Sequence, residues 1–347
     1  MASLSSSPAP LVVVVTGAAG QIGYSLLPLL ANGSTFGASR GVELRLLEIP
    51  QAVGALEGVK MELQDCAFSC LEREIVCTAD PAAAFAGADV AILVGGFPRR
   101  PGMLRKDLIQ INTKIFSGMG KALDAAKPTC KVLVVANPAN TNALTCVKNC
   151  STVPAKNFAA MTRLDYNRAT AQVALRLGTR VHNVRNVIIW GNHSATQFPD
   201  PTTDGVVVGA DGARTALREA LSADSAWLRG DFLSTVQQRG KAIIDARGKS
   251  SALSAAQAAA DCMRTWVTTG TAVGETVAMA VYNDRGYYGV AEDIVFSFPC
   301  ECRGGEWVVK EGLALTEYAQ GKLKVSEAEL LEERSAAMEI LETAAEE

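Results

Sequence analysis

Two histidines occur in the 347 residues, and one of them, His193, ends the apolar run V-R-N-V-I-I-W-G-N-H that begins at Val184. Upstream lies T-R-L-D-Y-N-R, Thr162 to Arg168, which carries an acid, Asp165, and an arginine, Arg168, about one helical turn apart. A histidine exchanges a proton near neutral pH, and a buried carboxylate beside it fixes its tautomer and supports the imidazolium. A guanidinium next to that pair takes a substrate carboxylate through two parallel hydrogen bonds. The three residues outline acid–base chemistry on a molecule that bears a carboxylate, such as a 2-hydroxy acid. A lone histidine is more often a satisfied core residue, but His193 stands in a polar G-N-H-S stretch at a strand end. The other, His182, is expected at the surface in T-R-V-H-N.

A second basic element fits the same chemistry. The apolar stretch D-V-A-I-L-V gives way to G-G-F-P-R-R-P-G-M-L-R-K-D, Gly95 to Asp107, holding Arg99, Arg100, Arg105 and Lys106. Glycine and proline around the charges make a mobile loop at the carboxyl end of a strand, where ligands of parallel sheets bind. Taken alone it also suits a solvated or phosphate-gripping loop. Beside His193 and Arg168 it is expected to close over a dicarboxylate. Arg168 would clamp the C1 carboxylate, Arg105 would stabilise charge on the C2 oxygen, and Arg99 would meet the distal carboxylate. Asn137, in A-N-P-A-N-T-N, suits equally a role in orienting substrate or cofactor and an ordinary Asn-Pro turn. Ser251, in G-K-S-S-A, is read as a helix cap rather than a residue facing the cofactor.

Something must carry the hydride partner, and the N-terminus supplies the candidate. Strand L-V-V-V-V runs into T-G-A-A-G-Q-I-G, so Gly17, Gly20 and Gly23 fall at a strand-to-helix turn. The first allows the tight turn, the second lets backbone N–H groups reach a pyrophosphate, and the third lets helix and strand pack closely. The next strand, V-E-L-R-L-L-E-I, ends in Glu48, which suits both ribose hydroxyls and repels a 2′-phosphate. NAD is therefore expected rather than NADP. The cofactor surface is expected to comprise Gly17, Gly20, Gln21, Ile22, Gly23, Glu48, Gly95, Asn112 and Asn137. There is no G-x-x-x-x-G-K-[ST], which removes the main support for a P-loop nucleotidase.

The elements that must position these residues can also be traced. Leu11–Val15, Glu43–Ile49, Glu74–Cys77, Asp89–Val94 and Lys131–Ala136 read as strands without polar alternation, covered on both faces. Helical spacing fills Gln21–Leu30, Ala55–Leu63 and Lys106–Ala126 between them. This alternation predicts an α/β fold with a doubly wound parallel sheet, followed by a C-terminal α+β domain. A boundary near residues 150–157 divides the chain into 1–157 for the cofactor and 158–347 for the substrate. Pro199–Ala213 and Asn283–Gly289 read as polar, glycine-rich loops, and Ser250–Met263 as an alanine-rich helix in close packing. Ser326 and Glu329 form an S-x-x-E capping box that would open a C-terminal amphipathic helix.

The net charge of −3 argues against nucleic acid as a main partner. No apolar run is long enough for a membrane helix. The nine cysteines lack the repeated spacing of a zinc site, so free thiols and no metal are expected. The start lacks the basic region of a secretory leader and the end does not read S-K-L, so neither address is expected, and the N-x-S sequon at Asn192 includes His193 itself. A cytoplasmic location is the expectation.

The motifs TGAAGQIG, FPRRPGMLRKDL, NPANTN, TRLDYNR and NVIIWGNHS, in this order, closely resemble the lactate/malate dehydrogenase superfamily, and within it the cytosolic-type malate dehydrogenase branch. The likeness continues through SSALSAAQA and YGVAEDIVFSFP and covers essentially the whole chain. It implies a Rossmann NAD domain, a catalytic C-terminal domain, a mobile arginine loop, a cis peptide before Pro138 and a homodimer. The same roles fall on Arg99, Arg105, Asn137, Asp165, Arg168 and His193. Two positions depart from the family pattern: Glu48 where aspartate is usual, and Leu104 where an acid is common. Arg99 is expected to select oxaloacetate over apolar 2-oxo acids, since an arginine buried against an apolar tail would be left unpaired. The alternatives are a broad-specificity 2-oxo acid dehydrogenase and a non-catalytic dinucleotide-binding scaffold.

Overall fold

Successive side chains of a strand point to opposite faces, and in this chain both faces are apolar. Val13 and Val15 enter one core with Leu44, Leu46, Ile92 and the helical Leu26, Leu27 and Leu30. Val14, between them, enters the other with Ala91, Leu93, Val132, Phe85 and Phe116. A sheet between two helical layers results. The computed structural model describes residues 9–98 and 102–346; Arg99 and Arg100 lie outside the described residues.

The first half alternates as expected: β1 (Leu11–Thr16), α1 (Gln21–Ala31), β2 (Val42–Leu47), α2 (Val53–Asp65), β3 (Val76–Thr78), α3 (Pro81–Phe85), β4 (Val90–Leu93), α4 (Arg105–Ala122), β5 (Lys131–Val134), α5 (Ala139–Asn149) and β6 (Phe158–Ala160). The second half contains α6 (Arg163–Leu177), β7 (Val184–Arg185), β8 (Ile188–Trp190), β9 (Phe198–Asp200), β10 (Val206–Val208), β11 (Arg214–Ala216), α7 (Leu217–Ala220), α8 (Ser225–Trp227), α9 (Leu233–Arg247) and α10 (Leu253–Met263). It closes with β12 (Val277–Asn283), β13 (Ile294–Arg303), β14 (Glu306–Val309) and α11 (Glu317–Glu346).

The large sheet has the order β14-β13-β12-β6-β5-β4-β1-β2-β3. Strands β1 to β6 run parallel, and the order reverses between β1 and β4, which opens a crevice at their carboxyl ends. Strand β12 then pairs antiparallel with β6, so the same sheet continues into the C-terminal half. The boundary expected at 157/158 falls at the start of β6. The small residues of α10 pack against α1 and α6, as alanine permits close approach.

Three readings of local structure need correction. Pro199–Ala213 is not all loop, because the Val206–Val208 triplet pairs with β7 and β11. Ser326 and Glu329 do not open the last helix, which begins at Glu317. Its true cap is Thr316, whose Oγ1 accepts the Ala319 N–H at 3.2 Å, and burial of Ala319 and Leu323 extends the helix upstream. Ser251 is not a cap either: the residue before α10 is Ala252, with no side-chain cap.

Candidate active site

The glycine turn is shaped by backbone contact. Gly17 has φ of +63°, and a Cβ there would lie 2.6 Å from Gly95 Cα. The loops after β1 and β4 thus touch at the crevice, helped by the Gly95 N–H donating to Thr16 Oγ1 at 2.9 Å. A Cβ on Gly23 would meet Gly17 O at 2.6 Å, so only glycine lets α1 sit this close to the turn. Gly20 precedes α1 without any side-chain cap. The first N–H groups of the helix, from Gln21 and Ile22 onward, therefore face the crevice with no side-chain acceptor, which suits a pyrophosphate.

Glu48 follows β2 and is half-buried. Its Oε1 accepts the Ala19 N–H at 3.2 Å, and Oε2 accepts the N–H of Ile49, also at 3.2 Å. The carboxylate therefore leans onto the glycine turn. Asn112 is fully buried. Its Oδ1 accepts the Phe97 N–H at 2.8 Å, while Nδ2 donates to the carbonyls of Phe97 at 3.1 Å and Asn137 at 3.2 Å. It braces the loops after β4 and β5 rather than presenting its own side chain. Asn137 itself is exposed and precedes a cis peptide to Pro138. These features fit a dinucleotide.

Asp165 lies in the first turn of α6 and its side chain is completely buried. Oδ2 is hydrogen-bonded to Nδ1 of His193, whose side chain is 13% exposed. Oδ1 accepts from Arg168 Nη1 at 3.2 Å and from Gln197 Nε2 at 3.2 Å. Burial by itself drives the Asp165 carboxyl pKa up. The charges and hydrogen bonds of His193, Arg168 and Gln197 outweigh it and hold the value below the ordinary carboxylate range. The aspartate is thus kept ionised beside the imidazole, which fixes Nδ1 as the protonated nitrogen and leaves Nε2 for exchange. Arg168 Nη2 donates to Ser251 Oγ at 3.2 Å, so Ser251 belongs to this cluster. His182 is exposed.

His193 is held by neighbours that composition and spacing did not single out. Asn140 Oδ1 accepts the His193 N–H at 3.0 Å, while its Nδ2 donates to the carbonyls of Gly191 at 3.2 Å and Val295 at 2.9 Å. The three asparagines of A-N-P-A-N-T-N were the visible signal; α5 turns the second toward the histidine. Gln197 also donates to Ser194 O at 2.9 Å. From α11, Ser326 Oγ accepts the Asn192 N–H at 2.8 Å.

Arg105, the first residue of α4, reaches α11. Nη1 pairs with Glu329 Oε1 at 2.6 Å, and Nη2 pairs with Glu333 Oε1. Burial lowers the guanidinium pKa, but the two carboxylates raise it above the ordinary value overall. Leu104, the residue before this helix, is exposed, and its N–H is accepted by Asp107 Oδ2 at 3.2 Å. Among the described residues, no group of three His, Cys, Asp or Glu side chains is placed to hold a metal ion. Among them, too, no helix is long and apolar enough to cross a membrane.

A switch-point crevice with a glycine turn, beside an Asp–His pair flanked by an arginine, defines a dinucleotide-binding protein equipped for acid–base work on a carboxylate-bearing substrate. Comparison with known proteins narrows the class. The model of the lactate/malate dehydrogenase NAD binding domain matches residues 11–159, and that of the lactate/malate dehydrogenase alpha/beta C-terminal domain matches residues 162–340. The chain belongs to the lactate/malate dehydrogenase family. It is 52% identical over 338 residues to the cytoplasmic malate dehydrogenase of Caenorhabditis elegans, covering 97% of this chain and 99% of that protein. Identity to the cytoplasmic malate dehydrogenase of Homo sapiens is 49% over 336 residues, covering 96% and 99%. The crystal structure of malate dehydrogenase from Naegleria fowleri superposes with a TM-score of 0.89 at 45% identity, covering 96% and 99%. Trichomonas vaginalis lactate dehydrogenase in complex with NADH and oxamate gives 0.90 at 38% identity, covering 96% and 100%.

Proposed function

We propose that this chain catalyses reversible oxidation of (S)-malate by NAD+, giving oxaloacetate and NADH. The observation that carries the reading is the His193–Asp165–Arg168 cluster, in which one buried carboxylate serves both a proton-exchanging imidazole and a carboxylate-binding guanidinium. Identity near 50% to cytoplasmic malate dehydrogenases over nearly the full length supports the substrate.

When bound, the nicotinamide cofactor accepts or returns the hydride. The chain does the rest. Neutral His193 takes the C2 hydroxyl proton of malate at Nε2 while Asp165 stabilises the imidazolium, and the reverse step returns that proton to the carbonyl oxygen of oxaloacetate. Arg168, held by Asp165 and Ser251, presents its remaining N–H groups to the C1 carboxylate. Arg105 stabilises charge at the C2 oxygen, and Arg99 takes the distal carboxylate. Asn137 orients substrate and cofactor from the loop after β5. Gly17, Gly20, Gln21, Ile22, Gly23 and Gly95 form the pyrophosphate surface, Glu48 takes the ribose, and Asn112 acts through the loops it braces. The cofactor unit spans 1–157 and the substrate unit 158–347; the protein works as a homodimer in the cytoplasm.

Initial rates with NADH and NADPH against oxaloacetate, pyruvate and phenylpyruvate test this. Oxaloacetate with NADH should lead by orders of magnitude. Comparable rates with the monocarboxylates would replace it by a general 2-oxo acid reductase, and no turnover by a binding scaffold.

A further inference from the structure

Arg105 is assigned to the substrate, yet both of its terminal nitrogens are taken by carboxylates of α11. Glu333 is 2% exposed and also accepts from Thr141 Oγ1 and from Asn192 Nδ2, the latter at 3.1 Å. Glu329 accepts from Asn192 Nδ2 at 3.0 Å and from Ser194 Oγ at 2.6 Å, with Thr196 Oγ1 as a further donor. The two glutamates therefore touch the residues on either side of His193 and the arginine that follows the loop after β4. Each glutamate has further donors besides the arginine, and Arg105 is the most exposed of the three, with 47% of its side chain exposed against 18% for Glu329 and 3% for Glu333.

We propose that Glu329 and Glu333 are positioning residues that hold Arg105 in a resting clamp, and that the C2 oxygen of the substrate draws Arg105 away by displacing one of the two helix carboxylates. The helix carboxylates occupy the guanidinium in the absence of substrate, which keeps the cation paired and the start of α4 ordered. Substrate binding trades one carboxylate partner for the polarised oxygen of the substrate, so the clamp opposes binding and adds selectivity for substrates that compete well for a guanidinium. No proton or electron moves in this exchange. The idea rests on the functional reading above for the place of Arg105 at the substrate and for the identity of that substrate.

Glu329→Gln is the informative variant. It removes the charge yet keeps an oxygen acceptor for Ser194 and Thr196. The KM for oxaloacetate should fall about fivefold with kcat within about twofold, a change of the size an accessible ion pair produces. In an Arg105→Gln background the same substitution should leave KM unchanged. A KM that stays or rises, or an equal effect in both backgrounds, would show that Glu329 only supports the His193 loop and would overturn the clamp. Hydrogen–deuterium exchange on the cofactor-free protein gives a readout without turnover: amides at the start of α4 should exchange faster in Glu329→Gln than in wild type. Unchanged exchange sinks the clamp even where the variant is inactive. Should Glu329→Gln fail to fold, Glu329→Asp, which draws the carboxylate back, carries the same two measurements. Failure of wild type to reduce oxaloacetate would defeat the malate reading and leave the exchange result standing.

Discussion

Gly191 is seated on Ser326: a Cβ at Gly191 would lie 2.0 Å from Ser326 Oγ and 2.5 Å from Ser326 Cβ. Gly191 also has φ of +94°, a conformation that L side chains rarely adopt. The loop that presents His193 is thus pressed against the last helix at a point where neither backbone strain nor volume allows a methyl group. Gly191→Ala should lose roughly 2–4 kcal/mol of stability and most activity, read by denaturant unfolding and initial rates. A stable, fully active variant would mean that the loop does not sit where it is described.

Ser326→Ala addresses the same contact from the helix side. It leaves the buried Asn192 N–H without its acceptor, which costs about 1–3 kcal/mol. Because Asn192 adjoins His193, kcat should fall while NADH affinity, followed by fluorescence quenching, stays level. An unchanged melting curve would argue that another acceptor replaces the hydroxyl.

Asp165→Asn keeps the shape of the pair and removes the charge that holds the imidazolium. The expected loss in kcat/KM is on the order of a thousandfold, with cofactor binding retained. A loss below about tenfold would remove Asp165 from the chemistry.

The same carboxylate predicts an acid limit to stability. Its folded pKa lies below the ordinary carboxylate value, so the folded state binds fewer protons there than the unfolded chain. The contribution is complete above the unfolded value of about 4 and disappears as pH falls through the depressed folded value. Wild type should melt above Asp165→Asn at neutral pH, and the gap should close as pH falls below about 4. A gap that persists through the acid range contradicts the sign.

Glu48 should govern the choice between cofactors. Replacement by alanine removes the repulsion of a 2′-phosphate and the acceptor on the Ala19 N–H. The ratio of kcat/KM for NADH over NADPH should fall by about tenfold or more. An unaltered ratio would place the discrimination elsewhere.

Much of this molecule is written in local pattern. Apolar strand runs, the glycine turn with its terminal Glu48, and the T-R-L-D-Y-N-R and W-G-N-H stretches report directly on elements and chemistry, because burial on two faces, tight turns and proton exchange each demand particular residue types. The pairing of Asp165 with His193 could be anticipated since the two types have few better partners. What no local pattern contained is which distant side chains complete the centre. Asn140, Gln197, Ser251, Ser326, Glu329 and Glu333 reach it from four different stretches of chain, and several have a plausible local reading. Ser326 and Glu329 spell a helix cap, Ser251 precedes a helix, and Asn140 lies in a turn-like run. Only packing of α5, α10 and α11 around the loop after β8 overrules those readings, because a buried N–H or carboxylate must find its partner wherever the fold brings one within reach.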